Sequence, residues 1–134
     1  MSLQVMETYC TKNDFWVEKQ PGKLVITVRF GNRTQTCEAY TFLSGTDRKK
    51  VLKVSSKVGK FQNLKMDKFK DLLLDISNYV YVRPELDQSD GSLTIAGCTL
   101  DEAASENEIS FLLYEVAWAA DTFEKKFYKG KDAF

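Results

Sequence analysis

The sequence predicts an α+β protein in which a meander and a hairpin build an antiparallel five-stranded sheet, with helices packed mainly on one face. Three observations support this fold class. Apolar and polar residues alternate at positions 24–30, the period of a half-buried strand, and two further strand-like segments follow up to position 58. Apolar spacings of three and four residues follow at 69–76 and 109–127, as in amphipathic helices. An Asp-Gly turn at 90–91 separates two further short strands. The predicted order is α-β-β-β-α-β-β-α.

The first half of the chain predicts a short helix followed by the meander. The spacing of five residues fits one face of a brief helix: Leu3, Val5, Met6, Tyr9 and Cys10. Residues 15–17 and a turn at Pro21-Gly22 then indicate a hairpin, because Pro fixes φ and Gly accepts a positive φ. The strands of the meander are expected at residues 24–30, 33–42 and 52–58.

The second half begins with a helix and a hairpin. The helix starts near Asp67, and its apolar stripe has four members: Phe69, Leu72, Leu73 and Ile76. A strand is expected at 79–86, a turn at 87–91, and a return strand through Leu93 and Ile95. This second hairpin completes the sheet.

A long helix at 105–128 has the clearest start signal in the chain. Ser105 and Glu108 have the spacing of a capping box, in which the serine accepts a hydrogen bond from the Glu108 amide and the glutamate reaches back. The stripe expected to cover the sheet contains Ile109, Leu112, Leu113, Val116, Ala120, Phe123 and Phe127.

A second apolar stripe on this helix contains Phe111, Tyr114 and Trp118. A helix that rests on one sheet needs only one apolar stripe, so something else should cover these rings. Two interpretations are open. Either a partner covers them, most simply a second copy of the chain across a two-fold axis, or another helix or the N-terminal segment does. We take the three residues as candidate partner-binding residues.

Length and composition indicate one domain, residues 1–134, able to bury a core without disulfides. No apolar run approaches the roughly 20 residues that a membrane span needs. The first residues lack the basic and apolar regions of a secretory signal. We therefore expect a cytoplasmic protein that does not bind a membrane.

Histidine is absent, which removes the commonest general base and the commonest transition-metal ligand. The cysteines, Cys10, Cys37 and Cys98, lack Cys-x-x-Cys spacing and are interpreted as small buried thiols. The acidic turn at 87–91 lacks the distal glutamate of an EF-hand loop. No catalytic residue, cofactor or metal site is predicted. We expect no enzymatic activity, with an enzyme lacking any recognisable motif as an alternative.

Charge is balanced, with 19 basic and 19 acidic residues, but it is segregated. Residues 48–70 contain nine bases and one acid, whereas 85–108 contain seven acids and no base. The basic stretch can bind nucleic acid, can pair with the acidic stretch of another copy or with an acidic partner, or can form a solvated strand face whose lysines protect a sheet edge. The last is favoured and nucleic acid is disfavoured. The candidate contacts for an anionic partner are Arg48, Lys49, Lys50 and Lys53.

The element order resembles the type III secretion chaperone-like fold and, within it, the YbjN-like proteins. The resemblance is strongest over 66–128. It rests on Phe69 to Asn78, on Asp90 to Ile95, and on the aromatic-rich helix from Phe111 to Val116. It implies a small, non-enzymatic α+β protein, usually a homodimer, that binds another polypeptide or acts in regulation. The chain lacks the strongly acidic balance of the secretion chaperones and its first helix looks short, which favours the YbjN-like branch.

Overall fold

A computed structural model describes residues 1–102 and 104–128. The helices are α1 (Ser2–Lys12), α2 (Met66–Ile76) and α3 (Glu106–Phe127), and a short 3-10 turn covers Phe61–Asn63. The strands are β1 (Trp16–Gln20), β2 (Lys23–Phe30), β3 (Arg33–Leu43), β4 (Lys50–Lys60), β5 (Val82–Asp87) and β6 (Ser92–Leu100).

The strands form one antiparallel sheet in the order β1-β2-β3-β4-β6-β5. This confirms the predicted α+β class and element order, but the sheet has six strands rather than five. The additional strand is β1, which is joined to β2 by the turn at Pro21-Gly22. Gly22 in this turn has φ +76°. It was missing from the predicted count because this edge strand has no fully buried residue and therefore no clear alternation.

All three helices pack on the same face of the sheet. α3 lies across β3, β4 and β6; α1 packs beside it against β1 and β2; and α2 packs against β5 and α3. The opposite face, which we call the open face, has no helix on it among the described residues. It carries the alternate residues of each strand, such as Tyr40 on β3 and Lys53 on β4.

The core lies between α3 and the helix-facing side of the sheet. Ile26, Leu52, Ile95, Leu112 and Phe123 are among its largest fully buried side chains. The inward positions predicted on β4, at 52, 54 and 58, are all buried. Cys10 and Cys37 are buried as predicted, whereas Cys98 is partly exposed on the open face.

Two predicted details differ from the structure. β5 begins at Val82, later than expected, because the amides of Val80 and Tyr81 donate to the Glu115 carboxylate and not to a neighbouring strand. Leu73 was assigned to the buried stripe of α2 but is 43% exposed. α2 touches the rest of the fold along one narrow side, so Leu72 is its only fully buried residue.

The start of α3 confirms half of the predicted capping box. The Ser105 hydroxyl accepts a hydrogen bond from the Glu108 amide at 3.1 Å. The Glu108 carboxylate does not reach back to Ser105; it accepts a hydrogen bond from the Thr99 hydroxyl at 2.8 Å and ties the helix to β6.

Between residues 1–102 and 104–128, no helix is both long enough and apolar enough to cross a membrane.

Candidate protein-binding surfaces

Phe111, Tyr114 and Trp118 lie on the outward side of α3, and we call them the aromatic strip. They are 48%, 53% and 44% exposed, respectively. The other side of α3 is buried against the sheet, so the two stripes predicted from the sequence do face different surroundings. No helix in the described part of the chain covers these rings.

Neighbouring aromatic residues hold the aromatic strip from its two sides. Tyr114 and Trp118 stack with ring centroids 6.0 Å apart, and the edge-on ring of Phe30 lies 5.6 Å from Trp118. On the other side, the Tyr81 ring lies 5.8 Å from Phe111. Because these contacts fix the orientation of the rings, the exposed apolar surface is ordered before any partner arrives.

The basic residues singled out from the sequence lie in two environments. Arg48, Lys49 and Lys50 are exposed at the tip between β3 and β4, where Lys49 lies 3.7 Å from Glu102. Lys53 lies farther along β4 on the open face, and its ammonium is 2.5 Å from the Glu85 carboxylate. The structure therefore does not bring all four together as one exposed cluster.

The basic and acidic stretches pair with each other inside one chain. β6 separates β4 from β5, so Lys53 reaches Glu85 across it, and Lys57 reaches Asp90 at 2.5 Å in the β5–β6 turn. The pKa of Asp90 is held well below its usual range. The largest cause is the hydrogen bond from Lys57, and the second largest is the hydrogen bond from Ser92. Three bases of the basic stretch, Lys49, Lys53 and Lys57, thus pair with the acidic stretch in the fold.

The structure also contains a cleft between β3 and β4 that the sequence did not indicate. β3 and β4 pair from Glu38–Ser55 to Leu43–Lys50, and beyond this point their pairing stops. A cavity of about 520 Å³ opens there. Its lining includes Thr34, Gln35, Thr36, Glu38, Tyr40, Lys53, Ser55, Ser56, Lys57, Glu85, Leu86, Asp87, Thr94 and Glu124.

Gln35 and Ser56 bridge the two strands where the pairing stops. The Gln35 amide nitrogen donates to the Ser56 hydroxyl at 2.8 Å and to the Lys57 carbonyl at 3.2 Å, and the Ser56 hydroxyl donates to the Thr36 carbonyl at 2.7 Å. Since a carbonyl can only accept, the amide orientation of Gln35 is fixed. Its side-chain oxygen is buried and accepts no hydrogen bond within the described structure.

The sequence around these strands gives only a weak local signal for this cleft. Thr34, Thr36 and Ser55 occupy polar positions on strands, as on any solvated sheet face. The separation of β3 from β4 depends on which strand pairs with which, and β4 pairs with β6 beyond the end of its ladder with β3. Local periodicity does not encode that choice.

Within the described ranges, no group of three or more Cys, Asp or Glu side chains is arranged to hold a metal ion.

Comparison with known proteins identifies the fold. No family model and no curated protein matches the chain. Among solved structures, a chain of the ExsC–ExsE complex has TM-score 0.63 at 9% identity and covers 92% of this chain and 91% of its own. A chain of the complex between the Yersinia pestis type III secretion chaperone SycH and a fragment of YscM2 has TM-score 0.59 at 14% identity, covering 92% and 99%.

A chain of the HopA1–SchA chaperone–effector complex has TM-score 0.62 at 8% identity and covers 91% of each chain. The protein therefore has the type III secretion chaperone-like fold, which confirms the resemblance seen in the sequence at the level of the fold. The narrower resemblance to YbjN-like proteins stays a prediction.

Proposed function

We propose that this protein is a non-enzymatic protein-binding module, chaperone-like or regulatory, that acts through contacts with another polypeptide. It works in the cytoplasm, and it forms a homodimer. The observation that carries the proposal is the ordered, exposed aromatic strip on α3. The structural neighbours support it, because each was solved as a complex of two proteins.

The aromatic strip has the features of an interface centre. Aromatic side chains are enriched at protein interfaces, and rings already held in place lose little conformational freedom on binding. Phe111, Tyr114 and Trp118 follow one line along the helix, so a second copy related by a two-fold axis can pack the same line against it. We infer that this surface forms the dimer contact or receives the client.

Replacing Trp118 with alanine tests the function. We expect Trp118→Ala to lower self-association or client binding at least tenfold, as for an interface hot spot, because this ring is the largest of the strip and is held exposed beside Phe30 and Tyr114. The melting temperature should change little, since Trp118 is 44% exposed and adds little to the core. Light scattering after size-exclusion chromatography gives the mass, and circular dichroism gives the melting curve.

Lys125→Ala is the matched control, because Lys125 is also exposed and lies farther along the same helix. It should leave the mass unchanged and alter the melting temperature only slightly, because the ion pair that Lys125 makes with Asp121 at 3.7 Å involves an exposed ammonium group. A large loss of stability in Trp118→Ala with unchanged association would instead make the ring part of the structural core and contradict the proposal.

A further inference from the structure

We propose that the cleft between β3 and β4 binds a neutral mono- or disaccharide. The inference goes beyond the proposed function, because it assigns a small-molecule site that needs no partner polypeptide. Most residues that line the cleft occupy alternate, open-face positions of β3, β4, β5 and β6. The aromatic strip on α3 lies on the other side of the sheet.

Side chains of unequal length shape the cleft. Ser55 and Thr94 are short, whereas Tyr40, Lys53 and Glu85 in the same lining are long. This difference leaves a depression in the face of the sheet. Its cavity of about 520 Å³ lies within the usual range of roughly 300–1,000 Å³ for small-molecule sites.

The ionic state of the cleft favours a neutral ligand. Each charged side chain of the lining has an opposite charge beside it. The pairs are Lys53 with Glu85 at 2.5 Å, Lys57 with Asp87 at 3.9 Å, Lys23 with Glu38 at 3.0 Å, and Arg33 with Glu124 at 2.6 Å. A charged ligand would have to compete with these pairs, whereas a neutral ligand leaves them intact.

Threonine and serine hydroxyls give the cleft unused hydrogen-bonding capacity. Thr94 lines the cavity and is only 8% exposed, yet its hydroxyl makes no hydrogen bond to any other described residue. The hydroxyls of Thr34, Thr36 and Ser55 likewise have no partner within residues 1–102 and 104–128. Each of these groups both donates and accepts, as does every hydroxyl of a sugar. A saccharide can therefore pair with them in either direction.

The remaining lining groups also fit a sugar. The Glu38 carboxylate accepts from Lys23 through one oxygen, and a carboxylate has about four acceptor positions, so it can also accept from sugar hydroxyls. Tyr40 adds a partly exposed aromatic ring, whose negative face attracts the polarised C–H groups on one side of a sugar ring. Leu86 is the only large aliphatic residue in the lining, so a purely apolar ligand would gain little there.

The test is an NMR titration of the full-length, ¹⁵N-labelled protein. The probes are glucose, galactose, maltose and lactose, together with the amino sugar and the uronic acid that correspond to each monosaccharide. At least one neutral sugar should shift the amide signals around Thr36, Ser55 and Thr94. The charged amino sugar and uronic acid should bind at least severalfold more weakly than the matching neutral sugar.

Two variants locate the site. Thr94→Val keeps the shape of the side chain but removes the hydroxyl, so it should weaken binding about threefold or more, the effect of one lost hydrogen bond. Thr27→Val is its control, because Thr27 lies at an open-face position of β2 outside the lining. Tyr40→Leu should weaken binding severalfold, and Phe42→Leu, at the next open-face position of β3 and outside the lining, should not.

Unchanged affinity in both Thr94→Val and Tyr40→Leu would overturn the proposed location. Charged analogues that bind as tightly as the neutral sugars would overturn the proposed chemistry. The absence of shifts with every sugar, or shifts confined to α3 around Trp118, would overturn the site itself. The proposed function is judged separately, by the association measurements on Trp118→Ala.

Discussion

Gly97 shows how closely single residues are fitted in this fold. It lies on the helix-facing side of β6, opposite Val54 of β4. A Cβ atom at this position would lie 2.8 Å from Leu112 Cδ1 and 3.2 Å from both the Cβ and the carbonyl oxygen of Tyr81. The glycine therefore allows α3 and the segment before β5 to approach the sheet together.

We expect Gly97→Ala to lower the free energy of unfolding by about 1–3 kcal/mol, the typical cost of overpacking a core. Gly45→Ala is the control, because nothing lies within 4 Å of the added methyl group and the backbone there does not have a positive φ. Its effect should stay within about 0.5 kcal/mol. Urea denaturation measures both, and equal stability of the two variants would contradict the close approach.

Residue roles differ in how far they can be predicted. The cap at Ser105 is predictable because a capping box depends on neighbours within one turn. The role of Glu115 cannot be predicted in this way. Its carboxylate accepts hydrogen bonds from the amides of Val80 and Tyr81, which are far from it in the sequence. A buried glutamate in an apolar helix stripe suggests that such partners exist but does not identify them.

At the level of elements, α1 depends on a contact from outside the helix. Its N-cap, Met1, makes no side-chain capping bond, and its first turn has no acid. Instead, the Asp101 carboxylate in the β6–α3 loop accepts hydrogen bonds from the amide of Ser2, at 3.0 Å, and from its hydroxyl. A negative charge at this helix end also interacts favourably with the helix dipole.

The hydrogen bond from the Ser2 hydroxyl is the largest cause that lowers the pKa of Asp101 in the folded protein. The unfolded value is about 3.9, so this stabilisation is present above about pH 4 and is lost as the pH falls through the lower, folded pKa. Asp101→Asn keeps an acceptor oxygen for Ser2 but removes the charge at the helix end, so it should cost about 0.5–2 kcal/mol at neutral pH, and the difference from wild type should shrink toward zero in acid.

The measurement is urea denaturation of both proteins from neutral pH to about pH 2. Asp14→Asn serves as the control, since Asp14 is exposed and asparagine tolerates its left-handed backbone, φ 60°. A wild-type advantage over Asp101→Asn that stays constant through this range would show that the Asp101 charge does not hold α1.

Elements with one clearly buried side were predicted well, as α3 and β2 show. The elements that were miscounted or misplaced have weak burial patterns. β1 lies at the sheet edge, and the start of β5 is displaced because Glu115 takes the backbone donors that a strand would use. The aromatic strip was visible as a surplus of apolar residues, whereas the β3–β4 cleft arises from strand pairing between distant segments.

At the scale of the whole molecule, folding pairs part of the basic stretch with the acidic stretch of the same chain. Lys53 and Lys57 on β4 meet Glu85 and Asp90 because the acidic hairpin lies beside the basic strand. Self-association through the aromatic strip does not require these charges. The mass of the assembly should therefore be independent of salt.

Light scattering after size-exclusion chromatography tests this at low salt and at about 1 M salt, where the screening length is roughly 3 Å. We expect a dimer in both, because apolar contacts do not weaken with screening. A dimer at low salt that becomes a monomer at high salt would indicate that basic and acidic stretches pair between copies. A monomer throughout would rule out the homodimer.

The position of β4 has a consequence for the order of events as the chain is made. β1 to β4 are contiguous and can assemble as a meander, but β6, the second neighbour of β4, is synthesised only after α2 and β5. Until then β4 is an outer strand with open backbone groups, to which a strand of another nascent chain could add. Lysines on an outer strand generally discourage such additions. Two lysines of β4, Lys53 and Lys57, pair with the acidic hairpin in the finished fold. The interpretation of these lysines as protection of a sheet edge is wrong for the finished sheet, in which β4 is an inner strand.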